Sequence, residues 1–106
     1  MSNIKIVRAR SSEEYVSMIE QALDDVWDLH QSIEFDEDFM ADAREFIGPL
    51  ENSLKDLYQS MKDGNYQFAT GDLPFMEIVE KYHDAQLPFK FLLKRINETH
   101  LKGLEV

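Results

Sequence analysis

Apolar side chains recur at every third or fourth position along most of this chain, and that period predicts helices with one buried face. The first such series consists of Tyr15, Val16, Ile19, Ala22, Leu23, Val26, Trp27, His30 and Ile33. Ser11 and Glu14 are spaced as in a capping box, in which the serine side chain accepts a hydrogen bond from a free amide at the helix start. A first helix is therefore predicted over residues 12–34, with its acidic residues turned toward water.

A second apolar series, close to a coiled-coil seam, predicts a helix over residues 37–63. Its members are Phe39, Ala43, Phe46, Leu50, Leu54, Leu57 and Met61. Pro49 lies within this helix, where a proline removes one backbone hydrogen bond and clashes with the preceding turn, so a kink or a break is expected there. Gly64 is placed to end the helix.

The third helix is predicted over residues 74–102, because Pro74 suits a first helical turn and apolar residues follow at helical spacing. Pro88 falls in its middle, so we expect this helix to be kinked or split near residue 88. Residues 1–10 are partly β-branched and alternate imperfectly, which indicates an extended arm or a short strand. Tyr66 and Phe68 could pair with that arm.

The chain of 106 residues is long enough for a single domain, residues 1–106. Three helices of similar length joined by short links pack as antiparallel neighbours. The fold class is therefore predicted to be all-α, an up-down-up bundle whose second and third helices are kinked or broken at Pro49 and Pro88.

The charge of the chain is negative and unevenly distributed. The net charge is −10, and residues 11–72 carry sixteen acidic residues against three basic ones. Nucleic-acid binding depends on Lys and Arg, so it is disfavoured, whereas basic partners are favoured. The sequence has no cysteine and no apolar run of about 18 residues, which argues against disulfides, thiolate metal sites and a membrane span. We expect a cytoplasmic protein.

Four residues could form a metal site. Glu80 and His83 are spaced as in the Glu-x-x-His element of metal-binding helical bundles, and His30 and Glu34 lie one turn apart on the first helix. A dinuclear site would need a second Glu-x-x-His element, which the sequence lacks. The competing interpretation places His30, His83 and His100 at the edges of apolar faces, half-buried and hydrogen-bonded.

No complete catalytic constellation or cofactor motif is present, so the sequence favours a non-enzymatic function without a cofactor. The predicted function is an acidic protein-interaction module, adaptor, chaperone-like or regulatory, that binds a basic or amphipathic partner segment. Its candidate contact residues are Asp24, Asp28, Glu34, Asp36, Glu37, Asp38, Phe89 and Phe91. The alternative is a helical bundle that binds a ligand or metal near the kinks.

Phe89 and Phe91 are two positions apart and cannot share one helical face, so the apolar surface exceeds what three helices bury easily. We therefore expect a partner helix or a second copy of the chain, as in a homodimer, to cover the excess.

Overall fold

Four helices form most of the chain that is described. The computed structural model describes residues 7–35, 43–68, 71–82 and 87–104. The helices are α1 (Ser12–Phe35), α2 (Ala43–Lys62), α3 (Met76–Lys81) and α4 (Lys90–Lys102). No strand occurs within these described ranges, so the all-α fold class is confirmed. The predicted arrangement of three long helices is replaced by four helices.

The start of α1 and the end of α2 are fixed by local hydrogen bonds that the sequence predicted. Ser11 Oγ accepts a hydrogen bond from the Glu14 amide at 3.1 Å, which caps α1. After α2, Gly64 has a φ of 74°, a conformation that favours glycine. The amides of Asn65 and Tyr66 then turn back to the Ser60 carbonyl. These contacts direct the chain leaving α2 toward the start of α1.

Helices α1 and α2 run antiparallel and share the main part of the core. Glu20, in the first half of α1, accepts a hydrogen bond from the Tyr58 hydroxyl near the end of α2. Helix α1 also packs against α4, and α3 packs against α4. The buried side chains of α2 are Phe46, Ile47, Leu50, Leu54 and Leu57, which confirms the central part of the predicted seam.

The buried face of α1 differs from the predicted face at its edges. Tyr15, Ile19, Ala22, Val26 and Ile33 are buried as expected, and Met18 and Leu29 join them. Trp27, by contrast, has 59% of its surface exposed, so its predicted place in the apolar face was wrong. The inward side of α1 is centred nearer Met18 and Leu29, since it packs against both α2 and α4.

The third predicted helix consists of two helices, α3 and α4. Helix α3 ends at Lys81, and Tyr82 after it has an extended backbone. Pro88 lies in the turn before α4, where its ring disfavours a helical conformation at residue 87. Helix α2, on the other hand, is continuous through Pro49.

Polar side chains on α4 fasten the irregular segments to the core. The Thr99 hydroxyl accepts a hydrogen bond from the Ala9 amide at 3.0 Å, and Asn97 Oδ1 accepts one from the Leu73 amide at 2.8 Å. Asn97 and Thr99 are themselves buried. Each bond satisfies a backbone amide that has no helical partner. Side chains of α4 therefore accept the hydrogen bonds that regular secondary structure would otherwise accept from these segments.

Two further expectations concern the ends and connections of the chain. Residues 7–9 form an irregular arm along α4, whereas the rest of the predicted N-terminal strand, residues 1–6, lies outside the described residues. Residues 65–68 are also irregular, so the described parts of the two segments are not paired as strands. Among the described helices, none has both the length and the apolar character needed to cross a membrane.

Leu54→Ala tests the α1–α2 core, because the Leu54 side chain is 0% exposed. Removing it should lower the free energy of unfolding by about 2 to 5 kcal/mol through lost burial and a residual cavity. Urea denaturation measures this. Asn52→Ala, at an exposed position of the same helix, should change stability by less than about 0.5 kcal/mol. Equal effects of the two substitutions would contradict the packing described.

Candidate functional site

Two tyrosines and a histidine from three parts of the chain form a hydrogen-bonded series. The hydroxyl oxygens of Tyr15 and Tyr66 are 3.0 Å apart, and the Tyr66 oxygen is 2.6 Å from Nδ1 of His100. The Tyr15 hydroxyl also donates to the Ile96 carbonyl at 3.1 Å. We call Tyr15, Tyr66 and His100 the tyrosine-histidine series. It joins three parts of the chain at one point: α1, the segment that follows α2, and α4.

An open pocket lies beside this series. Its volume is about 240 Å³, and its lining residues are Ser12, Tyr15, Val16, Met61, Gly64, Tyr66 and Phe68. The Phe68 ring stacks on Tyr15 with centroids 6.1 Å apart and meets Tyr66 edge-on at 5.3 Å. Phe68 remains 46% exposed. The pocket is therefore an aromatic recess without a charged lining residue, at the open end of the α1–α2 pair.

Burial favours the neutral form of all three groups of the series. Desolvation raises the pKa of Tyr15 far above its ordinary value, and the hydrogen bond to Tyr66 adds to this rise. Desolvation likewise raises the pKa of Tyr66, against a smaller opposite effect of the Tyr15 hydrogen bond. The pKa of His100 is lowered by desolvation, which outweighs the Gly71 backbone hydrogen bond and the charge of Asp72. The series thus serves as hydrogen-bond donors and acceptors that position three segments.

A second feature lies on the outward side of α1. Glu20, Asp24 and Asp28 are exposed and follow one another at four-residue intervals, and the exposed Trp27 lies about one turn after Asp24. We call these four residues the acidic face. Helix α1 contains no Lys or Arg, so no base on α1 itself neutralises it.

The carboxylates on and beside the acidic face repel one another. Asp25, half-buried at its edge, has a raised pKa because burial penalises its carboxylate, an effect to which the neighbouring Asp28 and Asp24 add. A hydrogen bond from Gln21 opposes this only in part. The surface therefore favours an approaching cation.

The predicted contact residues are divided between different helices. Asp24 and Asp28 belong to the acidic face of α1, whereas Phe89 and Phe91 lie at the start of α4. Phe89 is partly buried against the core, and Phe91 is 48% exposed. The Glu34 side chain and residues 36–38, which include the other three predicted acids, lie outside the described part of the chain.

The candidate metal ligands are only partly described. Glu80 is exposed on α3 and His30 is half-buried on α1, while His83 and the side chain of Glu34 lie outside the described residues. Within the described residues, no group of three or more metal-binding side chains comes together.

The sequence indicated the burial of this site better than its connectivity. Tyr15 was placed in the core, and this is confirmed. His100 was expected to be half-buried and hydrogen-bonded; it is hydrogen-bonded, but it is buried. For Tyr66, however, the sequence predicts only an extended segment. No local signal identifies its contact with His100, because the two residues are 34 positions apart and meet through tertiary packing.

Tyr66→Phe tests the structural role of the series. It removes the hydroxyl between Tyr15 and His100, so we expect a loss of about 1 to 2 kcal/mol in the free energy of unfolding. Tyr58→Phe is the matched control, since its hydroxyl makes an exposed hydrogen bond to Glu20. That variant should stay within about 0.5 kcal/mol of the wild type in urea denaturation. A harmless Tyr66→Phe would contradict the assigned role.

His100 should also make stability depend on pH. Its pKa is lower in the folded chain than in the unfolded chain, so the unfolded chain takes up a proton first as the pH falls. Stability should therefore fall as the pH drops through about 6.5 and should level off below the folded-state pKa. Unfolding free energies of the wild type and His100→Gln should diverge between about pH 7.5 and pH 5.5. Parallel curves would contradict this assignment.

Comparison of the chain with models of protein families, with curated proteins and with solved structures found no match. A functional proposal therefore depends on the chemistry of the acidic face and of the aromatic pocket.

Proposed function

We propose that this chain is a non-enzymatic, cytoplasmic protein-interaction module of the adaptor, chaperone-like or regulatory kind. Its acidic face binds a basic or amphipathic segment of a partner protein. The observation that supports this most directly is the exposed Trp27, which has 59% of its surface in contact with water at the side of the acidic row of α1.

An exposed tryptophan of this kind is well suited to binding. Tryptophan is among the residues most enriched at the energetic centres of protein interfaces, because one rigid side chain buries a large apolar area. Its ring face also attracts the ammonium of Lys and the guanidinium of Arg. Since Trp27 contributes little to the core, its burial under a partner would add apolar contact without disturbing the fold.

The row of acids gives the same surface a preference for positive charge. Carboxylates at four-residue intervals present negative charge along one side of α1, where a partner helix or extended segment could place Lys or Arg opposite them. Such exposed charge pairs contribute little affinity each but raise the association rate and select the partner. Trp27 would supply affinity, and the acids would supply selectivity.

Ligand binding is the second candidate function, and the aromatic pocket of about 240 Å³ supports it. The pocket is lined by residues near the start of α1 and after α2. A ligand or metal site was expected near Pro49 and Pro88. The residues that line this pocket are different ones. A small neutral aromatic compound would suit a recess lined by Tyr15, Tyr66 and Phe68.

Binding of a basic peptide tests the first proposal. Trp27 is the only tryptophan of the chain, so titration with an amphipathic Lys- and Arg-containing peptide should change its fluorescence in a saturable manner. Trp27→Ala, followed by calorimetry, should weaken binding by about tenfold or more, as for an interface centre. Asp24→Asn with Asp28→Asn should also weaken peptide binding, and the loss of affinity should be larger at low salt than at high salt.

The control variant is Glu77→Gln with Glu80→Gln, which removes the same charge from exposed positions of α3. This control should bind as the wild type does. Equal weakening by both double variants would indicate a response to net charge alone and would count against the acidic face.

A further inference from the structure

The chain carries a basic surface that complements the acidic face. Helix α4 contains Lys90, Lys94, Arg95 and Lys102 against the single acid Glu98, which Lys102 engages at 2.9 Å. The arm adds Arg8 and Arg10, and it is held on α4 because Arg95 Nε donates to the Val7 carbonyl at 2.9 Å. We call the following set the basic face: Arg8, Arg10, Phe91, Lys94, Arg95 and Lys102.

The basic face resembles the acidic face in its construction. Each contains one exposed aromatic side chain, Trp27 or Phe91, among charges of mainly one sign. Glu20 and Asp28 are eight residues apart, as are Lys94 and Lys102, so each charged row spans about 12 Å of helix. Equal spacing lets Lys94 and Lys102 lie opposite Asp28 and Glu20. Glu98, between the two lysines, is paired with Lys102, so the attraction comes from these outer pairs and from the arginines of the basic face.

These two faces cannot meet within one molecule. Helix α1 buries the side that carries Tyr15, Ile19 and Val26, and α4 buries the side that carries Leu93 and Ile96. The two helices pack against each other. The acidic and basic faces are on the remaining, outward sides, so contact between them requires two molecules.

We propose that the acidic face of one copy docks on the basic face of a second copy. The inference extends the proposed function, because it names a basic partner surface for the same acidic face. Burial of Trp27 and Phe91 would supply apolar contact, and opposite charges would set the register. A pair of copies can form two such contacts, acidic face on basic face in both directions, and then closes as a twofold dimer. If a pair forms only one contact, further copies add head to tail.

The net charge of −10 limits the strength of this association. Two copies repel each other at long range, whereas the opposing rows attract at contact distance. At physiological ionic strength, charges farther apart than about 8 Å are largely screened, so the local attraction persists better than the overall repulsion. The expected complex is therefore weak and reversible.

Charge exchange between the two faces tests the inference directly. Asp24→Lys with Asp28→Lys makes the outward side of α1 basic, and Arg10→Glu with Lys94→Glu and Lys102→Glu gives the basic face a net negative charge. Circular dichroism and urea denaturation first establish that both variants fold as the wild type does. Sedimentation equilibrium then measures the mean molar mass of the wild type, of each variant and of their equimolar mixture in about 0.15 M salt.

The inference predicts that the wild type associates with a dissociation constant tighter than about 1 mM. Each variant alone should remain a monomer, because its two outward faces carry charges of the same sign. The mixture should regain association, since the basic α1 of one variant then faces the acidic α4 of the other. Phe91→Ser in the wild-type background should weaken association without altering the unfolding midpoint.

Three results would overturn the inference: a wild type that is monomeric up to about 1 mM, variants that associate alone as strongly as the wild type, or a mixture that stays monomeric. Titration with the basic peptide separates this failure from that of the proposed function. Peptide binding by a strictly monomeric wild type would leave the proposed function standing and remove only the second copy as its partner.

Discussion

The fold depends on one apolar face of α1, which packs against both α2 and α4. Tyr15, Ile19, Ala22, Val26 and Ile33 lie on this face and are buried. Most of the stability of a helix in a protein comes from packing of its apolar face, so burial of this face is the main interaction that holds α1 in place. The same packing decides which residues of α1 remain outside, and it is the reason that Trp27 and the acidic row are available for binding.

Helix α4 completes the structure by a different means, since it buries polar side chains as well as apolar ones. Asn97, Thr99 and His100 are buried; Asn97 and Thr99 accept hydrogen bonds from backbone amides, and His100 is hydrogen-bonded to Tyr66. Asn97 also donates to Asp72 at 3.0 Å. Buried polar groups lose stability unless they are paired, and pairing them with irregular backbone gives those segments a fixed position. The aromatic pocket depends on this pairing, because His100 holds Tyr66 and the Phe68 ring packs against Tyr66.

The sequence predicted what local chemistry decides and failed where tertiary contacts decide. The cap at Ser11, the end of α2 at Gly64 and the buried seam from Phe46 to Leu57 follow from spacing and backbone preference. Trp27 was assigned inward because apolar residues cover a wide arc of α1, and only the positions of α2 and α4 select the centre of that arc. The split after Tyr82 was one of two outcomes that Pro88 allowed. The tyrosine-histidine series joins residues far apart in sequence, and no periodic pattern reveals it.

The outward side of α1 connects the fold to the proposed function, because an exposed aromatic ring beside a row of acids is what a basic partner would contact. The most direct test is the fluorescence of Trp27, the only tryptophan, in dilute solution where the chain is monomeric. We predict emission near the wavelength of a tryptophan in water, with ready access to the quencher acrylamide, because 59% of the Trp27 surface is exposed. Emission shifted to shorter wavelength and protected from acrylamide would place Trp27 in the core and contradict the orientation of α1.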